Sequence, residues 1–181
     1  LYNIPSTTHM SPPVEVVTRL AGHGHIIGLK DSENNADRLR AVLHAVGGRD
    51  DFSVLVGAAV LSSRGLALGA TGMVPSAGNL APRTCRAVFD AAVRGDAAAA
   101  AAWQETIDAV AALYNRGRTL GGSLAALKAA MAGLSLCGPD VLPPLLPLGG
   151  EEADAVRRGW AALQVRIAAQ EAAGAATRCS R

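Results

Sequence analysis

The sequence predicts an α/β fold in which parallel strands alternate with helices, followed by a helical extension. The first observation is rhythm. Up to Arg94, short apolar runs alternate with helix-period segments, joined by connections of a few residues, the pattern of βα units on a parallel sheet. The second is the point where that rhythm stops, after Gly95, where a long Ala-rich segment opens a region without strand signals. The third is composition. The chain has 181 residues and is 50% hydrophobic but only 3% aromatic, so its core must be built from Ala, Leu and Val, which suits closely packed helices.

In chain order, Leu1 to Pro5 ends an apolar stretch, and residues 6–11 read as a polar loop. Ser11 then caps a helix over residues 13–21, since proline is tolerated in a first turn; Val14, Val17 and Leu20 share a face, and Gly22 stops it. A strand follows from His25 to Lys30. Asn34 or Asn35 caps a helix over 36–46 with Leu39, Val42, Leu43 and Val46 turned inward, ended by Gly47 and Gly48. Phe52 to Val56 is the next strand, closing on Gly57; residues 58–68 form a short helix, and 69–76 hold a brief strand between glycines. Pro82 opens a helix to about Arg94. Long helices are expected over 96–116, 123–136 and 151–173, with a proline-rich loop at 139–147 and a tail at 176–181. The domains expected from this are 1–95 and 96–175.

The stretch that organises the rest is HIIGLKDS, His25 to Ser32. An apolar run that breaks into polar residues reads as a buried parallel strand entering a loop, which puts Lys30 at a strand's carboxyl end, where α/β enzymes carry their chemistry. The chain has 17 Lys plus Arg, of which all but Lys30 and Lys128 are Arg. An amine can lose its proton when desolvated and a guanidinium cannot, and a neutral amine can attack a carbonyl to form a Schiff base. The alternative is that Lys30 begins a loop and points into water.

Several classes are disfavoured. A net charge of +2, with scattered Arg, makes no case for nucleic acid or an anionic membrane. No uncharged run is long enough to span a bilayer, and no signal segment is recognisable. Cys85, Cys137 and Cys179 are far apart and odd in number, so neither a disulfide framework nor a metal knuckle follows, and the cytoplasm is the expected compartment. His9, His23, His25 and His44 lack ligand spacing, and no metal or other cofactor is expected. The Gly-rich segment 69–78 lacks the lysine and spacing of a phosphate-binding P-loop.

Taken in order, Tyr2-Asn3-Ile4-Pro5, Gly28-Leu29-Lys30-Asp31-Ser32, Gly57 at a strand end, and Gly69-Ala70-Thr71-Gly72-Met73-Val74-Pro75-Ser76 with Asn79 resemble the dihydrodipicolinate synthase and N-acetylneuraminate lyase family over about residues 1–165. The resemblance implies the C-terminal half of a (β/α)8 TIM barrel, from the end of strand 5 through strand 8, followed by that family's helical domain. It implies that Lys30 forms a Schiff base with a 2-oxo acid such as pyruvate, and that Tyr2 relays protons as carbon–carbon bonds form or break. It also implies that Val74 borders the bound pyruvate unit and that Gly57 ends the seventh strand. A glycine there lets substrate approach the backbone, although a plain turn glycine reads equally well. Val74 can equally serve barrel packing, and Tyr2 can simply pack its ring and wet its hydroxyl.

Thr7 departs from the pattern. Dihydrodipicolinate synthases proper carry, five residues after the tyrosine, an arginine that holds the second substrate's carboxylate, and threonine cannot make a bidentate charged grip. A lyase, aldolase or dehydratase acting on another 2-oxo acid is therefore expected ahead of the 4-hydroxy-tetrahydrodipicolinate synthase reaction. The chain starts at Leu1 inside a motif, and the family's first half is expected to be missing. A half barrel leaves an open sheet edge, so the chain is expected to be a fragment of a longer enzyme, inactive alone. The alternative is a non-catalytic remnant binding a partner chain or a 2-oxo acid. The resemblance further implies a homo-oligomer, dimer or tetramer, to which the apolar Ala/Leu surfaces of the helices at 96–116 and 123–136 would contribute.

Overall fold

The computed structural model describes residues 1–179. It contains strands β1 (Tyr2–Asn3), β2 (Gly28–Asp31), β3 (Ser53–Val56) and β4 (Gly72–Met73), and helices α1 (Pro5–Thr8), α2 (Val14–Ala21), α3 (Ala36–Val46), α4 (Ser62–Ala67), α5 (Pro82–Val93), α6 (Ala97–Asn115), α7 (Leu120–Ala132) and α8 (Gly150–Cys179). The strands form one parallel sheet in the order β1-β2-β3-β4. The chain divides into two compact units, residues 1–78 with 82–107, and residues 79–81 with 108 onward.

In the first unit, strand alternation sorts the side chains. Leu29 and Asp31 of β2, and Val54 and Val56 of β3, are buried, whereas Gly28, Lys30, Ser53 and Leu55 between them are half-buried. The buried apolar set meets the inward stripe Leu39, Val42, Leu43 and Val46 of α3, with Val17 and Ala21 of α2, in one core cluster. That stripe has the i, i+3, i+4, i+7 spacing of a helix face. Asn35 starts α3 by accepting hydrogen bonds from the N–H groups of Asp37 and Arg38. α4 lies close on β3 because residue 65 is glycine: a Cβ there would stand 2.4 Å from Val56 Cγ2 and 3.1 Å from Leu39 Cδ2. Gly65→Ala should therefore force core side chains off their rotamers and cost about 1–3 kcal/mol, which denaturant unfolding would measure.

Several expectations need correction. The loop at 6–11 begins as α1, with Pro5 at its first position and His9 in the left-handed conformation at its end. Ser11 does not cap α2, which starts behind Pro13 without a side-chain cap; the Ser11 hydroxyl donates to Glu33 Oε2 instead. β2 starts at Gly28 rather than His25. Ile26 packs against the core and Ile27 is 76% exposed, so the apolar pair does not share one strand environment. The segment at 58–68 is a 3₁₀ turn (Ala59–Leu61) followed by α4. The first turns of α6 belong to the strand-bearing unit, so the two compact units divide inside α6. Gln104 explains this: its amide donates to the Ala59 carbonyl (2.9 Å) and accepts from the Ser63 N–H (2.8 Å).

In the second unit, α7 buries Ala125, Ala126, Leu127, Ala129 and Ala130, and α8 buries Ala153, Val156 and Trp160. Alanine on a facing helix lets backbones approach, which fits the aromatic-poor composition. α7 begins at Leu120, ahead of the expected Ser123, because Thr119 caps it by accepting from the Gly122 N–H; it ends at Ala132 rather than Leu136. α8 runs on to Cys179 through most of the expected tail, and residues 180 and 181 lie outside the described residues.

Candidate active site

β1 lies against β2 with Tyr2 opposite Lys30 and Asn3 opposite Asp31. Successive strand residues face opposite ways, so Asn3 and Asp31 turn toward the helices and are buried, while Tyr2 and Lys30 share the other face. There the Lys30 amine donates to the Tyr2 hydroxyl oxygen at 3.2 Å and lies 4.3 Å from the ring centroid. The strand-end pair expected from the sequence is thus in direct contact. Tyr2 is 53% exposed, so the contact stands where a small molecule can reach it.

Ser32, two residues beyond Lys30, directs its hydroxyl to the same phenol oxygen at 3.5 Å. Its hydrogen bond is the largest influence holding the Tyr2 phenol below the ordinary tyrosine range; desolvation opposes it, and the bond and charge from Lys30 add to it. Sequence reasoning passed over Ser32 as a site residue. The available signal was its spacing, since a residue two past Lys30 continues the same strand face.

Gly57 sits directly behind this group. Its N–H donates to the Asp31 carbonyl (2.7 Å), and a Cβ on it would stand 2.1 Å from Ser32 Oγ and 3.1 Å from Lys30 Cε. Gly57→Ala should therefore rotate the serine hydroxyl away from Tyr2 and raise the phenol pKa, which a spectrophotometric tyrosine titration would detect. Val74 continues the ladder past β4, its N–H bonded to the Val56 carbonyl at 2.8 Å, and is 45% exposed. Thr7 is exposed on α1, and its hydroxyl takes no part in the Tyr2–Lys30–Ser32 bonds. The structure thus joins Tyr2, Lys30, Ser32 and Gly57, and none of their hydrogen bonds reaches Val74 or Thr7.

A cavity of about 360 Å³ lined by Ser63, Arg64, Leu66, Ala92, Ala97 and Ala101 includes neither Tyr2 nor Lys30. It brings together no acid, base and nucleophile, so the chemistry points to the strand ends. Among the described residues, no three His, Cys, Asp or Glu side chains converge as a metal-ligand set, and no helix is long and apolar enough to cross a membrane.

A sequence model described as the dihydrodipicolinate synthetase family matches residues 1–162. The chain belongs to that family. A 4-hydroxy-tetrahydrodipicolinate synthase of Thioalkalivibrio sulfidiphilus is 32% identical over 167 residues, covering 92% of this chain and 55% of the relative. Among solved structures, the dihydrodipicolinate synthase of Bacteroides thetaiotaomicron superposes with a TM-score of 0.80 at 28% identity, over 88% of this chain and 54% of its own. YagE of E. coli K12, a prophage protein of the same family solved in complex with pyruvate, gives a TM-score of 0.80 at 29% identity, over 91% of this chain and 55% of its own. The parallel sheet and its helices are therefore the α/β fold of the dihydrodipicolinate synthetase family. The chain spans about half the length of the family relatives it matches.

Proposed function

We propose that this chain is the part of a dihydrodipicolinate synthetase family lyase that carries its Schiff-base lysine. The observation that carries the reading is the 3.2 Å contact between the Lys30 amine and the Tyr2 hydroxyl on adjacent strand ends. In this reading Lys30 attacks the carbonyl of a 2-oxo acid such as pyruvate, water leaves, and the protonated imine becomes the electron sink. Tyr2 moves the proton that accompanies carbon–carbon bond making or breaking. Gly57 leaves room for the Lys30 side chain and the Ser32 hydroxyl beside which the substrate sits, Val74 borders its carbon skeleton, and Thr7 offers it no cationic grip.

The four parallel strands followed by helices suit the carboxyl-terminal half of a (β/α)8 barrel, with residues 1–95 as partial barrel and 96–175 as helical extension. We assign it to the cytoplasm and to a homo-oligomeric enzyme; the exposed Leu120 and Leu124 of α7 support association. Thr7 favours an aldolase, lyase or dehydratase over the synthase reaction. The names of the similar synthases keep 4-hydroxy-tetrahydrodipicolinate synthase as the second reading.

The test is chemical. The protein carrying this chain is incubated with pyruvate, reduced with borohydride and mapped by mass spectrometry. A reduced adduct on Lys30 supports the reading, and its absence in the folded, full-length protein overturns it in favour of a non-catalytic binding role.

A further inference from the structure

Behind the Tyr2–Lys30 pair, on the helix side of the sheet, lies a polar cluster that the proposed chemistry does not use. Asn3 and Asp31 are 1% and 3% exposed there. Polar side chains so deeply buried are costly unless hydrogen-bonded. The Asn3 amide nitrogen donates to Asp31 Oδ1 and to Glu33 Oε2, both at 3.1 Å. Asp31 also accepts from the Glu33 N–H (2.9 Å) and from Arg38 Nε (3.2 Å). Glu33 Oε2 in turn accepts from the Ser11 hydroxyl (2.6 Å) and lies 3.3 Å from Arg38 Nε. One amide on β1 thus grips two carboxylates at the end of β2, and those carboxylates are held by α3 and by the segment that leads into α2.

That grip acts beside the backbone ladder between β1 and β2. β1 is joined to β2 by the Leu1 carbonyl accepting from Lys30 N–H (3.0 Å) and the Asn3 carbonyl accepting from Ser32 N–H (2.8 Å). Side chains alternate along a strand, so whatever sets Asn3 opposite Asp31 also sets Tyr2 opposite Lys30. A one-residue slip would turn Tyr2 to the wrong face.

We propose that Asn3 is a positioning residue: its amide, bonded to Asp31 and Glu33, sets β1 on β2 so that the Tyr2 hydroxyl meets the Lys30 amine. Only an amide suits the place. Its two N–H donors serve two carboxylates, whereas aspartate would add a third negative charge beside a single guanidinium, and leucine would leave both carboxylates short of a donor. The Asn3 Oδ1 atom is buried without a hydrogen-bond partner among the described residues, so the two donor bonds outweigh an orphaned acceptor.

The consequence for turnover rests on the proposed Schiff-base reading; the geometric claim does not. Asn3→Leu is made in the protein carrying this chain, with and without Tyr2→Phe, so that difference titration isolates the Tyr2 phenol. The Tyr2 titration should move up to the range of a free tyrosine, because Ser32 and Lys30 no longer reach the oxygen. Turnover should fall by about 10²-fold while borohydride trapping on Lys30 persists, since a misplacement of about 1 Å is enough for such a loss. Glu33→Gln keeps the shape of the site, and should move both readouts the same way by a smaller, few-fold amount. A folded Asn3→Leu variant with unchanged Tyr2 titration overturns the proposal. If that variant does not fold, an unchanged titration in Glu33→Gln overturns it. Failure to trap an adduct in the unsubstituted protein would sink the Schiff-base reading, and the titration would still decide the role of Asn3.

Discussion

Lys30→Arg should abolish the borohydride-trappable adduct with pyruvate and reduce turnover by on the order of 10⁴–10⁶, the scale of losing a covalent nucleophile. The substitution keeps the positive charge beside Tyr2, so a purely electrostatic or structural role would survive it in part. A Schiff base would not, because a guanidinium stays protonated and cannot form the imine. The chain contains an internal control. Its other lysine, Lys128, lies on α7 in the second unit, and Lys128→Arg should leave trapping unchanged. A Lys30→Arg protein that still yields a reduced adduct would move the nucleophile elsewhere and end the mechanism proposed for this site.

Tyr2→Phe should separate imine formation from proton transfer. Trapping on Lys30 should remain largely intact, because the amine and its strand are untouched, while turnover falls by the ~10²–10⁴ typical of a lost acid–base group. The pH profile gives a second readout. Ser32, then Lys30, stabilise the phenolate, so the Tyr2 phenol loses its proton below the ordinary tyrosine range. If the protonated phenol is the working acid, the alkaline fall in rate begins correspondingly early, and it should vanish in Tyr2→Phe. Ser32→Ala should shift that fall to higher pH without removing it, since the largest stabilising bond is lost and the contact with Lys30 remains. A Tyr2→Phe enzyme with undiminished turnover would assign the tyrosine to packing.

Much of this site was legible before any coordinates. The break from Leu29 into Lys30-Asp31-Ser32 marked a strand end, and a single short helical segment between Tyr2 and Lys30 marked their strands as parallel neighbours. The stripe Leu39, Val42, Leu43, Val46 read correctly because helix periodicity is a local property of spacing. The expectations for Ser11 and Ile27 failed for one shared reason. Each depended on a partner distant in sequence: Ser11 on Glu33, and Ile26 and Ile27 on which of them meets the core.

The amino-acid order alone therefore settled which residue types stand at the strand ends: an amine and a phenol, with no arginine at position 7. It settled them because short-range hydrophobic spacing marks where an apolar strand gives way to a polar loop. Tertiary structure decided that Ser32 reaches Tyr2, that Gly57 must lack a Cβ, and that buried Asn3 and Asp31 join half-buried Glu33 and Arg38 in one network. Those facts lie in the register between strands and in the choice of hydrogen-bond partners across about 30 residues of chain, which desolvation and packing select and no local pattern encodes.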